Sequence, residues 1–127
     1  MQPTADKSPV GIYATLRRAV LARQPIAAIY EGRPRLLCPH ILGWTEAGLP
    51  HLVSYQYGGD SERGLGEDGS PRNWRCMDVG ILRSVELLEG AWKTASNYRL
   101  PHPCVPQVDV AVAVGAPLSD GEPQNGQ

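Results

Sequence analysis

The segment at residues 26–57 constrains the fold most strongly. It contains apolar runs of strand length, and only Glu31-Gly32 separates the first two. An acidic residue followed by glycine in a two-residue connection is typical of a β-hairpin. A third run follows a glycine-containing turn at residues 45–48 and extends the hairpin to a meander. Pro39 lies within the second run and removes a ladder donor, which predicts an edge position or a bend.

A helix is predicted at residues 8–24. Ser8 is a suitable N-cap, and Pro9 suits the first helical position. Apolar residues then recur at helical spacing, namely Val10, Tyr13, Leu16 and Val20. Pro25 ends the helix because the residue before a proline avoids the α region. We expect the helix to cover one face or end of the sheet.

Residues 58–71 contain five glycines and predict a long flexible loop. Two further strands are predicted at residues 73–79 and 84–89, joined by a short connector. One helix and five short strands favour a mainly β fold, a small SH3/Sm-like barrel over residues 8–94. Closure of the barrel would remove the exposed edges of the sheet.

The chain changes character over residues 95–127, which form a proline-rich tail. Residues 108–114 alternate with valine at every second position, and this pattern predicts an extra C-terminal strand. Such a strand needs a partner, which is either the edge of the barrel or a second copy of the chain. Residues 1–7 and 119–127 are predicted to be flexible.

Charge and cysteine content limit the class of protein. The net charge of −1 over 127 residues argues against a generally basic nucleic-acid binder, but residues 17–35 hold five arginines and one acid. Such a local basic region attracts anions. Three cysteines without a pairing pattern predict reduced thiols in the cytoplasm rather than a disulfide. No apolar run approaches the roughly 18 residues of a membrane span, and no apolar signal segment is present.

Several short motifs follow one another between Leu16 and Trp92: Tyr30-x-Gly32-Arg33-x-Arg35, Pro39-x-x-Leu42-Gly43, Leu52-Val53-x-Tyr55, Arg75-x-Met77-x-Val79 and Leu82-Arg83-Ser84-Val85-Glu86-Leu87. Their order and spacing resemble the bacterial WYL domain. The resemblance implies an Sm-like barrel that senses a ligand, often nucleic acid or a nucleotide-derived signal. Family members usually carry a DNA-binding helix-turn-helix and regulate transcription.

Three features depart from that family. The Trp-Tyr-Leu signature falls on Pro50-His51-Leu52, and a customary arginine falls on Ile81. A single N-terminal helix does not supply a helix-turn-helix. The resemblance therefore implies a stand-alone, divergent member.

Arginines form the main predicted binding site. A guanidinium matches a phosphate bidentately, so several converging on one face would form an anion site. The candidates are Arg35 and Arg75, with Arg33 and Arg83 near them. The alternative is that they are solvated or are paired with acidic neighbours such as Glu31.

Polar and aromatic residues extend this candidate site. Tyr55 and Trp74 offer rings for stacking on a base, and Gln56 and Ser61 offer hydrogen bonds. His40 is a candidate donor beside the arginines. For the rings, the alternative is burial in the core.

Metal binding and catalysis find little support in the spacing. The thiols and imidazoles of Cys38, His40, His51 and Cys76 lack the usual zinc-ligand spacing. Cys38 and His40 share one strand face without a nucleophile elbow. The sequence therefore predicts a regulatory module without a cofactor that binds a small anionic or nucleotide-like ligand, or single-stranded nucleic acid. The alternatives are a protein-interaction module that docks through its C-terminal strand and a small thiol or metal-dependent enzyme.

Overall fold

A computed structural model describes residues 9–61, 64–67 and 69–114. This part of the chain forms one helix and six strands: α1 (Pro9–Ala22), β1 (Ile26–Tyr30), β2 (Arg33–Trp44), β3 (Pro50–Gly59), β4 (Trp74–Asp78), β5 (Leu82–Leu87) and β6 (Gln107–Ala111). Short 3₁₀ turns precede β4 and β5. The predicted N-cap Ser8 and the two termini predicted to be flexible lie outside the described residues. The mainly β class with one helix is confirmed.

All strand pairs are antiparallel, in the order β4-β3-β2-β1-β5, and β6 pairs with β2. The predicted closure into a barrel is wrong, because β4 and β5 lie at opposite ends of an open sheet. These strands have only five and six residues. The 3₁₀ turn Val79–Ile81 carries the chain from one to the other without pairing them. The edges that closure would have removed remain.

The meander forms as the sequence predicts. Glu31 and Gly32 have φ angles of 55° and 75°, the two left-handed residues of a type I′ hairpin turn. The second turn is closed where the Thr45 amide donates to the Leu49 carbonyl at 2.9 Å. Strands β1, β2 and β3 thereby form the centre of the sheet.

Pro39 lies where β2 changes its neighbour. On one side, β1 pairs with β2 up to Leu37, and β6 pairs with it from Ile41 onward. On the β3 side, the register shifts between Pro39 and Ile41. The missing N–H of Pro39 therefore lies at an irregularity of β2, between its ladders with β1 and β6.

Helix α1 packs its apolar face on the sheet. Ile12, Leu16 and Val20 are buried in the main core, whereas Val10 remains 80% exposed. Val10 thus lies off the stripe to which the sequence assigned it. The helix ends before Gln24-Pro25 as predicted. Among the described residues, no helix has the length and apolarity needed to span a membrane.

The C-terminal segment folds back on the sheet. The predicted strand forms over five residues, and its partner is β2 of the same chain. A Cβ at Gly43 would lie 2.9 Å from the Val108 Cα, so glycine allows β6 to approach this closely. Val105, just before β6, is fully buried.

A disulfide joins Cys76 of β4 to Cys104 in this segment. The predicted absence of a disulfide is therefore wrong. The two cysteines are 28 residues apart, and only the return of the C-terminal segment to the sheet brings them together. Cys38 is the remaining free cysteine and is buried.

Part of the glycine-rich loop is fixed in place. The buried Asn73 amide donates to the carbonyls of Gly66 and Glu67 at 3.3 and 3.2 Å, and its oxygen accepts from the Gly66 amide at 2.7 Å. These bonds hold residues 64–67 against the start of β4. In its described part, the loop is thus more ordered than its composition predicts.

Candidate functional site

A cleft of about 430 Å³ opens between the β1–β2 turn and the edge strand β4. Its walls include two arginines and both polar and apolar side chains: Tyr30, Glu31, Arg35, Ser61, Trp74, Arg75, Cys76 and Met77. Four of these are residues that the sequence proposed for a binding site. The cleft is therefore where the predicted site is best tested.

Arg35 lies at the inner wall of the cleft and is only 4% exposed. Its Nη1 donates to Gln56 Oε1 at 3.3 Å and its Nη2 to the Tyr30 carbonyl at 3.3 Å. The guanidinium carbon lies 5.1 Å from the centroid of the Tyr30 ring. Nε is buried and has no hydrogen-bond partner among the described residues. A buried N–H without an acceptor is costly, and such a group calls for a water molecule or a ligand.

Gln56 connects the two arginines. Its Oε1 also accepts from Arg75 Nε at 3.2 Å, so one neutral oxygen receives bonds from two guanidinium groups. Its Nε2 donates to the carbonyls of Gly58 and Asp60, both at 2.9 Å, which fixes the amide orientation. The guanidinium groups of Arg35 and Arg75 are therefore held close together. The acceptor that they share, Gln56 Oε1, does not neutralise either charge.

Arg75 also fixes the neighbouring loop. It donates to Ser61 Oγ at 3.2 Å and to the carbonyls of Gly64 and Arg72 at 3.1 and 2.7 Å. Ser61 thus contributes to the cleft by orienting Arg75. The side chain of Arg75 is half-buried, and its removal would affect both the loop and the charge of the cleft.

Glu31 places a carboxylate at the mouth of the cleft. Its Oε1 lies 3.4 Å from Arg35 Nη2, and its side chain is 52% exposed. Ion pairs with an exposed partner are weak, contributing about 0–1 kcal/mol. A carboxylate oxygen of Glu31 therefore already lies beside Arg35, and an incoming anion can displace it at a small cost in free energy.

The two other predicted arginines lie outside the cleft. Arg33 pairs with Asp60 at 3.0 Å on the surface, as the alternative interpretation predicted. Arg83 donates to the carbonyls of Gly80 and Leu82 at 2.9 and 2.7 Å and lies beside the helix. The structure thus brings together two of the four arginines.

The predicted stacking residues pack within the protein. Tyr55 is 1% exposed, and its hydroxyl donates to the Ser70 carbonyl at 2.9 Å. Trp74 stacks on Tyr98 with a centroid distance of 5.6 Å, and its Nε1 donates to Asn97 at 2.9 Å. Although Trp74 forms part of the cleft wall, its ring contacts favour a core role for both residues.

His40 does not lie beside the arginines. It is fully buried among Trp74, Trp92 and Tyr98, at centroid distances of 4.7, 4.7 and 4.9 Å. Nδ1 lies 2.7 Å from the Cys38 carbonyl, which can only accept, so Nδ1 carries the proton. Burial lowers the pKa of His40 to about 4 despite this bond. The ring is therefore neutral at pH 7 and unsuited to binding an anion.

The four residues weighed for zinc are not gathered at one place. Burial raises the pKa of the Cys38 thiol to about 12, so this thiol is not a nucleophile at pH 7. A different set, Cys76, His102 and Cys104, brings one ligand atom from each residue within 4.8 Å of the others. The pKa of His102 is lowered mainly by burial and, to a smaller extent, by the positive charge of Arg99.

The sequence does not point to Tyr30 as a site residue, and it points to Glu31 only as a partner that would neutralise an arginine. Tyr30 precedes the type I′ turn, and Glu31 is the first of its two residues. The hairpin brings Glu31 into contact with Arg35, which follows it by four residues. That short-range signal was available. The hydrogen bonds of Gln56 to two arginines could not be predicted from the sequence, because they depend on the register of β2, β3 and β4.

Comparison of the chain with protein-family models, curated proteins and solved structures finds no match.

Proposed function

We propose that this protein is a module that binds a small anionic or nucleotide-like ligand in the cleft between Arg35 and Arg75, as the resemblance to the WYL domain implies. One observation carries the proposal. Arg35 is 96% buried, and its Nε has no hydrogen-bond partner in the part of the chain that the structure describes. Beside it, Gln56 joins it to a second guanidinium. Phosphate and carboxylate oxygens are the acceptors that guanidinium groups bind most strongly, and Arg35 Nε is the donor of this pair that has no acceptor among the described residues.

The ligand would replace Glu31. The Glu31 carboxylate lies within 3.4 Å of Arg35 and faces solvent, so an incoming anion competes with it for the same donor. Because the exposed ion pair contributes at most about 1 kcal/mol, the exchange costs little. Binding without a covalent step agrees with a sensing or regulatory role.

The test uses inorganic phosphate and adenosine monophosphate as probes, with calorimetry and thermal shift as the measurements. Glu31→Gln removes the competing charge, and we expect it to strengthen binding up to about fivefold. Arg75→Ala should weaken binding at least about tenfold, since a charge-assisted bond contributes roughly 1.5–3 kcal/mol. Arg18→Ala, an exposed arginine of α1, is the matched control and should bind as the wild type does.

Opposite effects of the two cleft variants would support the proposal. Equal affinities in the wild type, Glu31→Gln and Arg75→Ala would refute it. Because Arg75 also fixes the loop, its variant is first checked by circular dichroism. If Arg75→Ala unfolds the protein, Arg75 is structural, and the Glu31→Gln result alone decides.

The disulfide bears on the compartment. The sequence predicts a cytoplasmic protein, but disulfides persist mainly in oxidising compartments. A cytoplasmic location therefore fits the reduced form of Cys76 and Cys104 better than the disulfide-bonded form.

A second candidate is docking of a protein through β6. Among the described residues, this strand pairs with β2 alone, on one side. A further chain, including a second copy, would add at the other side by main-chain hydrogen bonds. Light scattering of the wild type distinguishes this function by detecting a dimer.

A further inference from the structure

His102 lies beside the disulfide between Cys76 and Cys104, so three side chains that can bind a metal ion meet at one place. The sulfur atoms of Cys76 and Cys104 and a ring nitrogen of His102 lie within 4.8 Å of one another. Cys76 belongs to the edge strand β4, and the other two residues belong to the segment that leads to β6. Two sulfurs and one imidazole nitrogen form a donor set that suits Zn²⁺.

We propose that reduction of this disulfide creates a site for a thiophilic divalent ion such as Zn²⁺, with Cys76, Cys104 and His102 as its protein ligands. A small-molecule thiol supplies the two electrons. Two molecules of that thiol reduce the Cys76–Cys104 bond, become a disulfide themselves and leave two cysteine thiols. Binding of Zn²⁺ then releases the two thiol protons and gives a neutral centre of one dication and two thiolates.

The backbone around the three residues limits their separation. The Cα atoms of the two cysteines are 6.1 Å apart. Cys76 is held by pairing of β4 with Val53 of β3, and the fully buried Val105 anchors the other side. In a tetrahedral site with Zn–S bonds of about 2.3 Å, two sulfurs lie about 3.8 Å apart. The reduced thiols need to separate by only a short distance to reach that spacing.

His102 needs a small adjustment. Its Nδ1 accepts the Cys104 amide at 3.1 Å, which places the ring next to the sulfurs. Coordination through Nδ1 uses this lone pair, and coordination through Nε2 places the proton on Nδ1. Either case breaks the single hydrogen bond to the amide, which is weak beside the bonds that two thiolates and an imidazole make to Zn²⁺.

The site is open to solvent on one side. Cys76 is exposed, and His102 and Cys104 are half-buried, so an ion can enter without unfolding. Among the described residues, the cluster contains no fourth cysteine, histidine or carboxylate. Water therefore takes the fourth position, and the metal would be held more weakly than in a site with four protein ligands.

The experiment titrates Co²⁺, a spectroscopic substitute for Zn²⁺, into the full chain reduced under anaerobic conditions. We expect one equivalent to bind, with thiolate-to-cobalt absorption in the near ultraviolet and tetrahedral bands in the visible, and Zn²⁺ should displace it. The disulfide form should show none of these bands. Cys38→Ala, which removes the third thiol, is the matched control and should bind as the wild type does.

Variants and alkylation complete the test. Cys76→Ser/Cys104→Ser should abolish the thiolate absorption, and His102→Gln should weaken binding at least tenfold. If the double variant does not fold, alkylation of the reduced wild type with and without Zn²⁺ is read by peptide mass spectrometry. Protection of Cys76 and Cys104 by Zn²⁺ supports the site. Equal labelling, or absorption that survives in a folded double variant, overturns it.

Discussion

His40 makes the stability of this protein depend on pH below neutrality. Burial lowers the pKa of the folded imidazole to about 4, whereas an unfolded histidine titrates near 6.5. As the pH falls, the unfolded state therefore takes up a proton before the folded state does. The stabilisation from the neutral ring is complete above pH 6.5 and is lost progressively as the pH falls to about 4.

The magnitude follows from the two pKa values. At pH 5 the ring is largely protonated in the unfolded chain and largely neutral in the folded protein. The unfolded pKa is then about 1.5 units above the pH, and each unit corresponds to about 1.36 kcal/mol. His40 alone should therefore reduce the free energy of unfolding by about 2 kcal/mol between pH 7 and pH 5.

The assay is urea denaturation at pH 7, 6 and 5, for the wild type and for His40→Gln. An amide can still donate to the Cys38 carbonyl but does not titrate, so the variant should lose about 2 kcal/mol less than the wild type over this range. The contribution of His102 cancels in that difference. An NMR titration of the His40 ring measures its pKa directly. A pKa near 6.5, or equal losses in both proteins, would refute the reasoning.

Two further predictions concern close contacts away from the cleft. Gly43→Ala places a Cβ against the Gln107 carbonyl and the Val108 Cα, and overpacking of this kind should cost about 1–3 kcal/mol in urea denaturation; unchanged stability would contradict the close approach of β6. Asn73→Ala removes the bonds to Gly66 and Glu67, which should cost about 2–3 kcal/mol and speed proteolysis of the loop. Asn97→Ala, which loses its bond to Trp74, is the matched control for that variant and should have a smaller effect.

Features set by local chemistry could be predicted from the sequence. The turn at Glu31-Gly32 requires two left-handed residues, and glycine after a polar residue supplies them. Pro25 stops α1, and Pro39 marks the irregularity in β2. In each case the backbone constraint acts within a few residues, so the local sequence is enough to predict it.

Features set by the return of the C-terminal segment could not be predicted. Cys76 and Cys104 are 28 residues apart, and Thr94 reaches His40 across 54 residues. The pattern of the sequence does not predict these contacts, because they depend on the strand with which β6 pairs. For the same reason, the sequence placed His40 near the arginines, whereas the structure surrounds it with aromatic rings.

At Pro39, one edge of β2 changes its partner while β3 follows the other edge throughout. Residues 33–37 pair with β1, and residues 41–44 pair with β6. Dissociation of β6 would therefore expose the edge of β2 at residues 41–44, while the pairing of β1 with β2 remains. The covalent tether from Cys104 to β4 would keep the released segment close by, so that it finds its place again quickly.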